Sequence, residues 1–217
     1  TTFVYGSNNQ PQTSGTRNAQ GTLLYSTVYE TGIDGQSRQR ETTDALTGNV
    51  TTFAYGLSNN QPQTSQTKSA QGVLLSTALY EIGVDGQARQ SQSTDALTNN
   101  VTTFTYDAGN QVQASQTANS QGTVLSRGVY EIGVDGQSRQ SESTDALTGN
   151  KTTFSYDANN QVHASQTKNA EGTLLSLGAY EIGVDGQSRQ KRSSDALTGN
   201  VTSFTYDENN QVNGSET

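Results

Sequence analysis

The chain has 217 residues, 29% of them hydrophobic and 15% charged, with 22 glycines and no Cys, Met or Trp. Hydrophobic residues and glycine together reach about 39% of the chain, short of the roughly 45–50% of an ordinary globular domain, which argues against a thick close-packed core. A net charge of −8 argues against partners that demand a basic footprint, namely a nucleic-acid backbone or an anionic membrane surface.

No stretch approaches the roughly 18 apolar residues of a helical membrane span, and the opening Thr1-Thr2-Phe3-Val4-Tyr5 is no signal peptide. A chain that opens on Thr reads as processed, or as a segment of a longer one. Without cysteine there is no disulfide, no thiolate nucleophile and no thiolate metal site. Together with the polar composition this suits an exported protein, extracellular or at the cell surface.

The sequence repeats. Phe3, Phe53, Phe104, Phe154 and Phe204 fall at spacings of 50, 51, 50 and 50 residues, the odd spacing being one insertion near Leu57-Ser58. The expected organisation is a single array over 1–217, with units at about 1–50, 51–101, 102–151 and 152–201 and a partial unit at 202–217. Such arrays stack in one dimension, each unit covering its neighbour.

Within a unit, the first predicted strand is Thr-Phe-Thr-Tyr, followed by an Asn-rich turn. The second, Gln-Val-Gln-Ala-Ser-Gln-Thr, alternates with period two. Phe104, Tyr106, Val112 and Ala114 are expected on one face. A Gln-Gly-type turn and Leu-Leu lead into a third strand that ends at Tyr130-Glu131. Asp-Gly at 34–35, 85–86, 135–136 and 185–186 then signals a type I′ hairpin turn, with positive φ at both central residues. A fourth strand closes on Asp-Ala-Leu-Thr-Gly-Asn. Four strands and four turns per unit make the chain all-β: tandem hairpins in a continuous spiralling or stacked antiparallel sheet. The alternative is a β-propeller, whose blades are of similar length.

Residues 143–162, Ser-Thr-Asp-Ala-Leu-Thr-Gly-Asn-Lys-Thr-Thr-Phe-Ser-Tyr-Asp-Ala-Asn-Asn-Gln-Val, resemble the YD repeat of RHS and teneurin-type proteins. Tyr-Glu-Ile-Gly-Val-Asp-Gly-Gln-Ser-Arg resembles a degenerate second copy. Tyr5-Gly6 and Tyr55-Gly56 lack the Asp, and Pro11 and Pro62 stand where later repeats have Val112, Val162 and Val212. The resemblance implies hairpins joined in one spiralling sheet that wraps into a hollow shell, in some members around a toxin and in others as part of a cell-surface protein.

Residues that carry chemistry are few. His163, the single histidine, has Gln12, Gln63, Gln113 and Asn213 as counterparts and reads as a surface position. The aspartates at 107, 157 and 207, at 34, 85, 135 and 185, and at 44, 95, 145 and 195 read first as turn residues. Calcium is the second reading, weakened by the lack of clustered Asp-x-Asp. Arg38, Arg89, Arg139 and Arg189 are placed to pair with Glu30, Glu81, Glu131 and Glu181 across each hairpin. Tyr29, Tyr80, Tyr130 and Tyr180 read as an aromatic packing ladder, with a periodic sugar-binding surface as the alternative. Asn49, Asn100, Asn150, Asn200 and Asn213 open glycosylation sequons. No nucleophile–base pair or phosphate loop is present, so no catalytic, cofactor or metal site is expected.

The function expected from these features is structural: a fibre, tube, stalk or shell built by stacking, with further copies or repeats of the chain as partners. The alternatives are a multivalent adhesin for surface glycans, gaining avidity by repetition, and the wall of a toxin-encapsulating shell. Pro11 and Pro62 remove ladder donors and are expected to protect one sheet edge.

Overall fold

The computed structural model describes residues 1–56, 60–183, 186–208 and 210–217. The insertion near Leu57-Ser58 and the turn aspartate Asp185 lie outside the described residues. Eighteen strands, paired antiparallel, and no helix form among the described residues, as the period-two patterning requires. No helix is therefore long and apolar enough to cross a membrane.

The first repeat contains β1 (Thr2–Tyr5), β2 (Pro11–Arg17), β3 (Leu23–Thr31) and β4 (Ser37–Asp44). The second contains β5 (Val50–Tyr55), β6 (Pro62–Lys68), β7 (Leu74–Ile82) and β8 (Ala88–Asp95), and the third β9 (Val101–Tyr106), β10 (Val112–Ala118), β11 (Val124–Ile132) and β12 (Ser138–Asp145). Then come β13 (Lys151–Tyr156), β14 (Val162–Lys168), β15 (Leu174–Ile182) and β16 (Ser188–Asp195), followed by β17 (Val201–Tyr206) and β18 (Val212–Glu216). The chain divides into two compact units, Thr1–Thr103 with Asn119–Gln121, and Phe104–Ala118 with Gly122–Thr217.

In the first unit each strand from β1 to β8 pairs with the next, and β8 with β9; in the second unit the same meander runs from β10 to β18. The fourth strand of a repeat pairs with the first of the next, as in Thr42 opposite Thr51 and Ser143 opposite Thr152. Propeller blades are separate sheets, so this register rules out the propeller within each unit.

Three of the four turns in the first repeat share one geometry. In the first, Gly6 N–H donates to Gln10 O at 2.9 Å and Asn9 N–H to Gly6 O at 3.0 Å, with Asn9 at φ 58°. Asn18–Thr22 and Gly32–Gln36 repeat the pattern, with Gly21 at φ 84° and Gly35 at φ 78°. These are three-residue loops, a type I turn followed by one left-handed residue. The Asp-Gly turns at 34–35, 85–86 and 135–136 are therefore not type I′: only the glycine takes positive φ, and in the first of them Asp34 Oδ1 accepts the Gln36 N–H at 2.9 Å. The fourth turn, Asp44–Asn49, is one residue longer, with Gly48 N–H donating to Asp44 O at 2.8 Å.

Bulges recur at equivalent places, between Ser155 and Tyr156, Thr167 and Lys168, and Ala179 and Tyr180. The first corrects the expected face. Ala164 lies opposite Ser155, not beside Phe154, whose opposite number is Ser165. His163 is the extra residue of this bulge and is exposed. Pro11 and Pro62 are the first residues of β2 and β6, which pair on both sides. They protect no edge; proline is tolerated there because a strand's first residue at a bulge need not donate.

No hydrophobic residue among those described is buried, as the composition required of a sheet without a thick core. The two faces nonetheless differ. Opposed residues share a face, so Thr152 with Thr167, and Phe154 with Ser165, Gly178 and Ser193, lie on one. Phe154 is half-buried, while Thr153 and Ser155 on the other face are exposed. The first face is nearly constant between repeats: Thr1, Thr51, Thr102, Thr152 and Thr202; the five phenylalanines; Ser14, Ser65, Ser115, Ser165 and Ser215. The second face varies: Val4, Ala54, Thr105, Ser155 and Thr205; Ser26, Thr77, Arg127 and Leu177; Glu41, Gln92, Glu142 and Arg192.

Candidate functional site

The strongest constellation in the molecule is a latch that recurs at three of the Asp-Gly hairpins. Arg38 Nε donates to Glu30 Oε1 at 2.8 Å, its Nη2 is 2.8 Å from the same oxygen, and its guanidinium lies 4.2 Å from the centroid of the Tyr55 ring. Its Nη1 donates to Asn60 Oδ1 at 2.8 Å. The same oxygen accepts the Ile33 N–H at 3.0 Å. In the second unit the set is Glu131, Arg139, Tyr156 and Asn160, with the guanidinium 4.2 Å from the ring centroid and Val134 N–H donating to Asn160 Oδ1 at 3.1 Å. It recurs as Glu181, Arg189, Tyr206 and Asn210, where the guanidinium is 4.4 Å from the ring.

Backbone geometry explains why these residue types recur. Asn60 and Asn160 hold the left-handed position of their turns, at φ 51° and 61°, which asparagine tolerates better than most residues. This aims the amide at the hairpin of the preceding strand pair. A Cβ on Gly32 would sit 2.6 Å from the Asn60 amide, and one on Gly133 2.6 Å from Asn160 Oδ1, so any larger residue there would push the asparagine amide out of its place. The tyrosine hydroxyl donates to the main chain of the same hairpin, Tyr156 to Gln140 O at 2.5 Å and Tyr55 to Gln39 O. Burial raises the pKa of Tyr55 and Tyr156 above the usual tyrosine value.

The hairpin is held from the other side as well. Gln10 Oε1 accepts the Ser37 N–H at 3.2 Å and Gln111 Oε1 the Ser138 N–H at 3.1 Å. Ser138 Oγ donates to Val112 O at 2.8 Å. The Asp-Gly hairpins at 34–35 and 135–136 are thus tied to the turn before them by glutamine and to the turn after them by asparagine. At the opposite ends of the strands Ala45 N–H donates to Leu24 O and Ala146 N–H to Leu125 O, at 2.8 and 2.9 Å.

The expected Arg–Glu pairs form in all four repeats, at 2.8–3.0 Å. The stacked tyrosine and the asparagine acceptor are not legible in the sequence, because they come from the next hairpin. Equal spacing of Arg38, Tyr55 and Asn60 with Arg139, Tyr156 and Asn160, but for the insertion, is the only trace.

Tyr29, Tyr80, Tyr130 and Tyr180 are half-buried. Their hydroxyls lie 3.2, 3.2, 3.4 and 3.3 Å from Ser14, Ser65, Ser115 and Ser165 Oγ. Each ring therefore spans to the strand before it. A Cβ on Gly178 would come within 3.1 Å of the Tyr180 ring, but Thr27 and Ala78 hold the same place under Tyr29 and Tyr80, so glycine is not obligatory there.

Of the sequon asparagines, Asn49, Asn100 and Asn150 are half-buried and Asn200 is exposed, all at the end of the longer turn; Asn213 Oδ1 accepts the Thr205 hydroxyl at 2.8 Å. The aspartates act locally. Asp145 Oδ1 accepts the N–H groups of Leu147 and Thr148 at 2.9 and 3.0 Å, and Asp157 those of Asn159 and Gln161 at 2.8 and 2.9 Å. The N–H groups of Thr47 and Leu46 hold the Asp44 carboxyl below the usual value, and the equivalent pairs do so for Asp95, Asp145 and Asp195. Among the described residues no three His, Cys, Asp or Glu come together as a metal cluster would require.

No family model matches the chain, and no curated protein matches it. Among solved structures, the Photorhabdus luminescens Tc holotoxin pore is similar over 95% of this chain and 14% of its own, at 14% identity and a TM-score of 0.39. A crystal structure of TcdB2-TccC3 is similar over 94% of this chain and 14% of its own, at 14% identity and a TM-score of 0.37. A porin-like protein from Bacteroides uniformis is similar over 98% of this chain and 79% of its own, at 11% identity and a TM-score of 0.30. This chain spans only 14% of the length of the first two.

Proposed function

We propose that the chain is a structural repeat module, a stretch of extracellular or cell-surface β-wall that builds a fibre, tube, stalk or shell by repetition. The observation that carries this reading is the latch. Within each unit a hairpin is held by side chains of the neighbouring hairpins, so an added repeat finishes the one preceding it, as in other one-dimensional arrays. The YD-like motif at 143–162 supports the same reading, and further repeats or copies of the chain are its natural partners. The polar side chains of the constant face recur from repeat to repeat in hydrogen bonds between neighbouring strands, as a repeating wall requires.

Electron microscopy of the native, unfragmented protein tests the proposal. Fibres, tubes or hollow shells whose wall repeats with the 50-residue unit are the expected outcome. Solid compact particles with no such repeat would overturn it.

A further inference from the structure

The twelve basic residues divide by position. Four are the latch arginines, each against its glutamate. The others stand where repeats vary, and in the second unit four of them gather on the variable face, Arg127, Lys151, Lys168 and Arg192, with Lys191 the extra residue of the bulge beside Arg192. Arg127 lies opposite Thr144, Thr144 opposite Lys151, and Lys151 opposite Lys168. Gln166, two residues before Lys168, lies opposite Leu177, and Ala179, two residues after Leu177, lies opposite Arg192. All five basic residues are exposed. With strands about 4.8 Å apart, the row from Arg127 to Lys168 runs about 14 Å across the strands.

Part of this charge is answered within the molecule. Lys151 is 3.0 Å from Glu142, Lys191 is 3.3 Å from Glu181, and Arg127 Nε donates to Gln116 Oε1 at 3.3 Å. The side chains of Lys168 and Arg192 have neither an ion pair nor a hydrogen bond among the described residues. Two lysines directly opposed across a strand pair repel each other, and Arg192 stands where the preceding repeat has Glu142. The fold does not ask for these bases, since Ala118 and Gln92 serve at the same two positions elsewhere. The acidic residues Asp135, Asp145, Asp157, Asp195 and Asp207 stand at strand ends and turns, and the strand glutamates Glu131, Glu142 and Glu181 are each paired with a base, which leaves Lys168 and Arg192 as unanswered charges on this face of a chain of net charge −8.

We propose that this face binds a linear acidic polysaccharide, its carboxylate or sulfate groups on Lys168, Lys151 and Arg192 and its hydroxyls on the neighbouring Thr153, Ser155 and Gln166. The charge and the polar lining favour a sugar polymer over nucleic acid. A duplex presents one charge per about 1.7 Å over a broad surface and meets the acidic turns as well as the basic residues. Single strands are held by stacking on aromatic rings, and Phe154 and Tyr180 belong to the opposite face. The surface is distinct from the periodic tyrosines and independent of how the repeats assemble.

The test titrates the intact chain with polygalacturonate and with heparin at low ionic strength, using dextran as the neutral control and duplex DNA as the competitor. Lys168→Ala combined with Arg192→Gln installs residues that other repeats carry, so folding is retained, and far-UV circular dichroism checks it. The expected result is binding to an acidic polysaccharide, weakened about tenfold in this variant. The pair Ala108→Glu and Ala158→Glu lowers the net charge equally, on turns where Glu208 stands in the last repeat, and is expected to change affinity less than about twofold. Lys151→Val, which copies Val101 and Val201, is expected to weaken binding too. Absence of binding to both acidic polymers, equal loss in the turn-charge control, or tighter binding of DNA would overturn the proposal.

Discussion

The two faces of the sheet have diverged to different extents although the same strands make both. On the constant face Thr152 and Thr167 place their hydroxyls 2.8 Å apart and Tyr180 reaches Ser165. A substitution there breaks a contact with the next strand. On the other face the row Ser155, Ala164, Ala179 and Arg192 corresponds to Ala54, Thr64, Leu79 and Gln92 in the second repeat, with no size, charge or polarity kept. A sheet with no buried hydrophobic residue among those described is held by hydrogen-bonded ladders and latches on specific side chains, and those side chains are the ones that recur.

The comparison breaks most sharply at the latch. Arg139→Ala removes the Glu131 pair, the Tyr156 stack and the bond to Asn160 together, and is expected to cost about 2 kcal/mol in urea unfolding. Arg139→Lys keeps the charge but not the planar fork and should recover less than half of that. Next is Gly133→Ala, which drives a Cβ into Asn160 and should cost about 1–2 kcal/mol. Asn160→Gly, which empties the space, should remove most of the additional penalty in the double variant. Tyr156→Phe loses one hydroxyl donor and should cost about 1 kcal/mol by the same measurement.

Two titrations sharpen the picture. The Asp44, Asp95, Asp145 and Asp195 carboxyls lie below their usual value. Their contribution is therefore full above the unfolded pKa of about 4 and is lost as pH falls through the folded values. A fourfold Asp→Asn variant should show a smaller drop in denaturation midpoint on acidification. Tyr55 and Tyr156 are raised, so their contribution is present below about pH 10 and lost at higher pH. The smallest effects belong to the variable face: Arg127→Ser or Leu177→Thr should shift unfolding by less than about 0.5 kcal/mol. A loss of 2 kcal/mol there would erase the distinction between the faces.

The spacing of Phe3, Phe53, Phe104, Phe154 and Phe204 and the alternation within each strand were enough to determine an all-β array of four-stranded repeats, because period and polarity are local properties. The Glu–Arg pairs were legible for the same reason: Glu131 and Arg139 flank one short turn, and antiparallel register places them opposite. Turn type was not, since Asp34-Gly35 fits both a two-residue and a three-residue loop, and the choice rests on where Gly32 and Gln36 form their bonds. The faces of Ala164 and His163 depended on a bulge, one extra residue that reverses the alternation and leaves no mark in composition. Only the tertiary structure joined Arg139 to Tyr156 and Asn160, or Lys151 to Lys168. Those contacts link residues 17 to 21 positions apart along the chain, and pairing across that distance follows from strand register, which the alternation of side chains narrows but does not fix.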